Sequence, residues 1–227
     1  MKAPLFVKIM ELSSRLSACA ALVKGRCVAD IGTDHAYLPV YLVEKGICER
    51  AFASDINAGP LASASENVRK YALEDKIELV LSDGLDGVPD GQCDCIVIAG
   101  MGGELICRII TESRFFKRDG ICFVLQPMSK PEEVRSMLWR EGYTVTDDVT
   151  ARERGRIYQI MRAEYTGRAL SFDKCDALCG KERDDADYRA LIENTLKKIR
   201  KKVRGMRLSG ADAREEEALI AEMERRL

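Results

Sequence analysis

Apolar side chains recur at helical intervals through residues 5–24, at Leu5, Ile9, Leu12, Leu16, Cys19 and Val23, and Gly25 ends the pattern. Beyond it the period changes repeatedly. Apolar runs of strand length at 27–31, 50–55, 76–81, 93–99 and 121–126 are interleaved with helical stretches at 37–45, 60–71, 104–111 and 131–141. Residues 142–147 and 156–164 read as a closing pair of strands. This alternation predicts an α/β fold, Rossmann-like, with a mostly parallel sheet covered by helices on both faces.

From Gly167 onward the strand pattern stops and charge dominates. Leu196, Ile199, Val203 and Met206 form a coiled-coil stripe, Leu208-Ser209-Gly210 reads as a turn, and Leu219, Met223 and Leu227 give a second helix its apolar edge. Two helices joined so briefly are expected to pack antiparallel as a C-terminal α-helical coiled-coil hairpin. The expected domains are therefore 1–165, the α/β unit, and 166–227, the helical unit.

Composition narrows the choice of chemistry. The 227 residues are 46% hydrophobic, enough for a full core, and 36 Lys and Arg against 37 Asp and Glu leave a net charge of -1. Any nucleic-acid surface must therefore be a local patch. No apolar run approaches the ~20 residues of a membrane span, and no basic-plus-apolar leader opens the chain, so a cytoplasmic protein is expected. The nine Cys residues lack a CxxC pair and the chain has a single His, His35. That argues against a metal site and for buried, reduced thiols. Trp139 is expected in the core, and Tyr37 reads as core filling ahead of a ring that packs on a cofactor or stacks on a base. The oligomeric state is not fixed by the sequence, and a monomer or weak oligomer is expected.

The densest candidate chemistry follows the first strand, in Val28-Ala29-Asp30-Ile31-Gly32-Thr33-Asp34-His35-Ala36-Tyr37-Leu38-Pro39. An apolar run closes there on an acid and a glycine, where doubly wound sheets hold nucleotide-like ligands. A dinucleotide fold carries further glycines at this turn to admit pyrophosphate, whereas here stand Asp34, His35 and Ala36. A carboxylate repels phosphate but suits a ligand with a hydroxylated ribose and a positive centre, such as S-adenosyl-L-methionine. Acids also close later strands, Asp55 in Ser54-Asp55-Ile56-Asn57 and Asp83 in Ser82-Asp83-Gly84. One carboxylate accepts from two vicinal hydroxyls, which fits Asp55 to a ribose, and Asp83 is placed for an adenine amino group. Each acid alone also reads as a turn or cap residue.

The fourth strand ends in Ile98-Ala99-Gly100-Met101-Gly102-Gly103-Glu104, three glycines in four residues, which lets a backbone approach a ligand closely. The same glycines also read as a flexible turn or a phosphate loop. Gln126-Pro127 reads as a rim amide or a turn signal. The cofactor set expected is Asp30, Gly32, His35, Asp55, Ile56, Asp83, Gly84, Gly100, Met101 and Gly102. His35 meets the methionine tail or a target base, or else is a buried imidazole satisfied by backbone.

Taken together, Asp30-Ile31-Gly32-Thr33-Asp34-His35-Ala36-Tyr37-Leu38-Pro39, Ile98-Ala99-Gly100-Met101-Gly102-Gly103 and Leu125-Gln126-Pro127 resemble the signatures of bacterial TrmK-type tRNA (adenine-N1)-methyltransferases. Leu12-Ser13-Ser14-Arg15-Leu16 and Gly155-Arg156-Ile157-Tyr158 are similar too, and the resemblance is close over residues 10–165. It implies a class I methyltransferase domain, S-adenosylmethionine as donor, and methylation of N1 of adenine 22 in tRNA. Ring N1 presents a lone pair, so the chemical work is orientation rather than proton removal. Methylation leaves a cationic adenine, and Asp34 is the candidate to stabilise that charge or to hydrogen-bond the base, the alternative being a turn residue bonding its own backbone. The basic run Lys197-Lys198-Ile199-Arg200-Lys201-Lys202-Val203-Arg204 reads alone as a solvated helix face. With the resemblance, Lys197, Arg200, Lys201 and Arg204 become tRNA contacts, offset in part by an acidic second helix. Arg15 pairs with RNA phosphate or the methionine carboxylate, or makes a surface ion pair. The alternatives are a non-catalytic RNA-binding module on the same fold, a methyltransferase for another RNA or a small molecule, and a nucleotide-dependent oxidoreductase.

Overall fold

The computed structural model describes residues 10–227, so the part of the first helix expected over 5–9 lies outside the described residues. Helix α1 (Ser14–Leu22) begins where the Ser13 side chain accepts from Leu16 N, shorter than the 5–24 periodicity predicts. Strands β1 (Cys27–Ile31), β2 (Arg50–Asp55), β3 (Ile77–Leu81), β4 (Cys95–Gly102) and β5 (Cys122–Ser129) pair in parallel. Helices α2 (Tyr37–Glu44), α3 (Ala58–Lys70), α4 (Gly103–Thr111) and α5 (Pro131–Arg140) lie between or after them. Strands β6 (Tyr143–Glu153) and β7 (Arg156–Tyr165) form an antiparallel hairpin whose β7 edge pairs antiparallel with β5. The seven-stranded sheet has the order β3-β2-β1-β4-β5-β7-β6.

Successive side chains leave opposite faces of a strand, and the sheet accordingly has two cores. On one face Val28, Val97 and Val124 pack with Leu38 and Leu42 of α2, Val68 of α3 and Cys19 of α1. On the other, Ile31, Ile98 and Leu125 pack with Ile106 and Ile110 of α4 and Val134 and Leu138 of α5. Strands buried on both faces read as continuous apolar runs, which is why 27–31 and 50–55 coincide with β1 and β2.

Three strands run further than the sequence suggests. The glycines after Ala99 do not end β4 in a turn. The strand continues to Gly102 through a bulge and pairs Met101 with Pro127 and Gly102 with Ser129, so β5 also extends past Gln126. Strand β6 runs to Glu153 rather than stopping at 147, because Arg154 and Gly155, at φ 48° and 75°, make a two-residue hairpin turn that holds the register of the whole pair.

After β7 no strand occurs among the described residues. Helices α6 (Lys174–Cys179), α7 (Ala186–Leu208) and α8 (Arg214–Arg225) share a core of Tyr188, Leu191, Ile192, Leu196, Ile199, Val203, Leu219 and Met223. The pairs Arg207–Glu217 and Arg200–Glu224 run in opposite chain directions, so α7 and α8 are antiparallel. The hairpin connection lies beyond Leu208 rather than at it, and Leu227, expected on the apolar edge, is exposed past the end of α8. Helix α6 has no counterpart in the sequence reading, since six residues carry too little periodicity.

One buried cation joins the helical unit to the sheet. Arg135 of α5 is fully buried, and its Nε and Nη2 each donate to Asp148 of β6 at 3.1 Å. Its Nη1 donates to Ala177 O of α6 at 2.6 Å, and Nη2 to Gln159 Oε1 at 2.7 Å. Gln159 in turn donates to Leu178 O. Trp139, buried as expected, adds a ring contact with Phe172 at 5.2 Å. Among the described residues no helix is long and apolar enough to cross a membrane.

Candidate active site

Strand β1 lies between β2 and β4, so the chain order reverses there and a crevice opens beyond the carboxyl ends of these strands. The turn after β1 is pinned to β2, with Gly32 N and Thr33 N both donating to Ser54 O, at 2.8 and 2.9 Å. Gly32 has φ +73°, and any side chain there would also collide with the Met101 methyl. The β1 and β4 loops therefore touch through a glycine, and a side chain there would have to displace the Met101 methyl and accept a strained backbone angle.

Asp34 and Ala36 follow in the left-handed region at φ 50° and 54°, a conformation that costs most residues about 1–2 kcal/mol. Ala36, fully buried, is the N-cap of α2 and supplies no side-chain cap. The same holds for α3 behind Asn57 and α4 behind Gly102, whereas Ser13, Asp173 and Asp185 cap α1, α6 and α7. The helices that begin at the carboxyl rim thus present amide N–H groups to the crevice.

The structure brings the three acids of the strand ends to this rim at different depths. Asp30 is buried beneath the turn. Burial pushes its carboxyl from an ordinary 3.8 up to about 6, with Asp55 adding to the rise and Thr33 and the Arg15 guanidinium opposing it. Asp55 closes β2, and its Oδ1 accepts from Asn57 N at 2.8 Å, which orients the carboxylate beside exposed Ile56. Asp83 and Gly84 form the turn after β3, where the Asp83 carboxylate stands 3.9 Å from Arg108.

The Asp30 shift carries a pH signature. Between about pH 4 and pH 6 the folded chain keeps a proton on Asp30 that the unfolded chain has released, so this group's contribution to stability falls as pH rises through that window. Asp30→Asn is expected to gain stability over the parent across that window and to hold the gain above it. Urea denaturation of both chains at successive pH values measures the difference. A difference that does not change with pH shows that Asp30 is not shifted.

Asp34 is 70% exposed and, among the described residues, pairs only with His35, Oδ1 to Nε2 at 3.7 Å. His35 stacks on Tyr37 with centroids 5.2 Å apart and planes 22° from parallel. Its carbonyl is held by Asn67 Nδ2 at 2.9 Å. Tyr37 is not core, as the sequence suggested. At 44% exposed it stands at the first turn of α2 on the side away from Leu38, which packs on the sheet.

On the β4 side Gly100, at φ +83°, is the bulge residue, and its N–H donates to Gln126 Oε1 at 3.1 Å. The same oxygen accepts from Arg15 Nη1 at 2.6 Å, and Arg15 N donates to Glu153 Oε2. Arg15 therefore sits with the glycine bulge and near Asp30, apart from the basic helix. Gln126, read from the sequence as a rim amide or a turn signal, places its amide beneath this rim, whereas Asn67 and Glu153 escaped sequence reasoning.

On α7 the cations divide. Arg200, Lys202 and Arg207 turn toward α8 and pair with Glu224, Glu216 and Glu217. Lys197, Lys201 and Arg204 are exposed on the face away from the stripe of Leu196, Ile199 and Val203 and make no ion pair among the described residues. Arg200, grouped with them in the sequence, is thus drawn off by the acidic helix.

Residues 12–161 match the family described as a methyltransferase domain. The tRNA (adenine(22)-N(1))-methyltransferase of Bacillus subtilis (strain 168) is 36% identical over 165 residues, 72% of this chain and 69% of that one. The crystal structure of the B. subtilis M1A22 tRNA methyltransferase TrmK superposes with a TM-score of 0.79 at 30% identity, covering 96% of both chains. M. capricolum TrmK in complex with S-adenosyl-homocysteine gives 0.81 at 25% identity, covering 94% of this chain and 96% of that one. The chain belongs to the TrmK family of tRNA methyltransferases.

Proposed function

We propose that this protein transfers a methyl group from S-adenosylmethionine to N1 of adenine 22 in tRNA, in the cytoplasm. The observation that carries the reading is the rim itself, where acids close β1, β2 and β3 beside a glycine turn locked against Met101. The 36% identity to the B. subtilis enzyme supports the same reading.

The residues present fit the donor. Asp55 is oriented to accept from both ribose hydroxyls, and Asp83 faces the adenine amino group from the next strand end. Ile56 and Met101 supply apolar surface, while the backbone at Gly32, Gly84, Gly100 and Gly102 leaves room for close approach. Arg15 is placed for the methionine carboxylate rather than for RNA phosphate, with Asp30 balancing its charge from below and His35 flanking the tail. S-adenosylmethionine supplies an electrophilic methyl on a sulfonium when bound. Asp34 stabilises the positive charge that develops on adenine as its N1 lone pair takes that methyl, and the rim orients the base. Because N1 is hidden by pairing, the target nucleotide is read out of the stack. Residues 1–165 form the catalytic domain, and 166–227 a helical domain that meets the tRNA backbone with Lys197, Lys201 and Arg204.

Purified protein given S-adenosylmethionine and an unmodified tRNA transcript with adenine 22 is expected to yield 1-methyladenosine at that position, mapped by nucleoside mass spectrometry. Asp55→Ala is expected to weaken donor binding by roughly tenfold to a hundredfold in calorimetry, from the loss of charge-assisted hydrogen bonds. A transcript left unmethylated overturns the reading, and unchanged donor affinity removes the ribose role of Asp55.

A further inference from the structure

A fully buried amide lies beneath the carboxyl rim. Gln126 follows the apolar residues 121–125 into β5, and an amide at that depth destabilises the fold unless its polar atoms are paired. Its Nε2 donates to Pro127 O at 2.8 Å. Its Oε1 accepts from two groups that are donors only, Arg15 Nη1 at 2.6 Å and Gly100 N at 3.1 Å, so the amide has one permitted orientation. A single oxygen therefore ties α1 to the bulge of β4.

That tie constrains Arg15 at both ends. Its backbone N–H is held by Glu153 and one guanidinium nitrogen by Gln126. A guanidinium is a planar fork of five N–H donors, so fixing one fixes where the others aim. Asp30 is an electrostatic neighbour of Arg15, and without Gln126 the guanidinium is free to turn toward that buried carboxylate.

We propose that Gln126 is a positioning residue for the charged amino-acid end of the donor. It holds the Arg15 guanidinium against the Gly100 bulge in the one orientation that receives the carboxylate, and it touches no part of the donor itself. The inference rests on the reading of Arg15 as the carboxylate partner.

The test compares two ligands by calorimetry on the full chain. One is S-adenosylhomocysteine, and the other is 5′-methylthioadenosine, which keeps the nucleoside and lacks the amino-acid end. Gln126→Met is expected to lose about tenfold or more of the affinity for S-adenosylhomocysteine while binding methylthioadenosine as the parent does. Arg15→Gln is expected to show the same selective loss, and adding Gln126→Met to it is expected to cost nothing further. If Gln126→Met melts early, Gln126→Glu replaces it. That variant keeps both acceptor bonds but neutralises Arg15, and the same selective loss is expected. Equal losses for both ligands, or an unchanged affinity for S-adenosylhomocysteine, overturn the proposal. A parent chain that binds neither ligand overturns the donor reading instead.

Discussion

Asp34→Asn is expected to slow methyl transfer by about 10²-fold at saturating donor and tRNA, with donor affinity nearly unchanged. The choice of Asn matters. Asp34 sits at φ 50°, where Asn is at ease and Ala is strained, so Asn removes charge without disturbing the turn. The carboxylate is open to the crevice and, among the described residues, has no Lys or Arg within ion-pair distance, so its charge is available to a cation. Adenine gains that charge only as the new N–C bond forms, which is why the loss falls on turnover rather than on binding. Single-turnover rates, read beside donor calorimetry, separate the two. A variant as fast as the parent removes Asp34 from the chemistry and leaves it as a turn residue.

Arg135→Met is expected to destabilise the chain by about 3–5 kcal/mol in urea denaturation. Methionine fills most of the volume but takes the donor from Ala177 O and Gln159 Oε1 and leaves Asp148 only the 3.8 Å ion pair with Arg183. The loss is expected to loosen the helical unit first, because Ala177 and Leu178 of α6 hang on this network. Limited proteolysis in the segment 166–185 reports that loosening, and tRNA affinity is expected to drop more than donor affinity since α7 carries the cations proposed to meet the tRNA backbone. Adding Asp148→Leu is expected to restore part of the stability by removing a largely buried carboxylate whose one remaining cation, Arg183, stands 3.8 Å away. A change under about 1 kcal/mol for Arg135→Met shows that the network is dispensable.

How much of this was readable from sequence follows the physics of each element. Parallel strands buried on both faces announce themselves as apolar runs, so β1, β2 and the acids that end them stood out. Strand β6 borders solvent on one edge of the sheet and carries Asp147, Asp148 and Thr150, which dilute any apolar signal. Gly100 to Gly102 and Pro127 carry turn chemistry, and only the pairing of β4 with β5 turns them into strand. Tyr37 shares helical spacing with core residues, yet its place in the first turn of α2 puts it at the crevice. The Gly32–Met101 contact, the Gln126 oxygen and the burial of Arg135 join residues far apart in the chain, and local pattern has no access to them.

The hydrogen bonds of Arg15 also set an order of assembly. Its guanidinium waits for a partner 111 residues downstream and its backbone amide for one 138 residues downstream. During synthesis α1 leaves the ribosome early, but Arg15 has neither side-chain partner until β5 and then the β6–β7 hairpin have followed it out. The rim beside Arg15 is therefore among the last parts of the sheet to close, and a nascent chain halted before Glu153 holds the acids of the rim without the full clasp on Arg15.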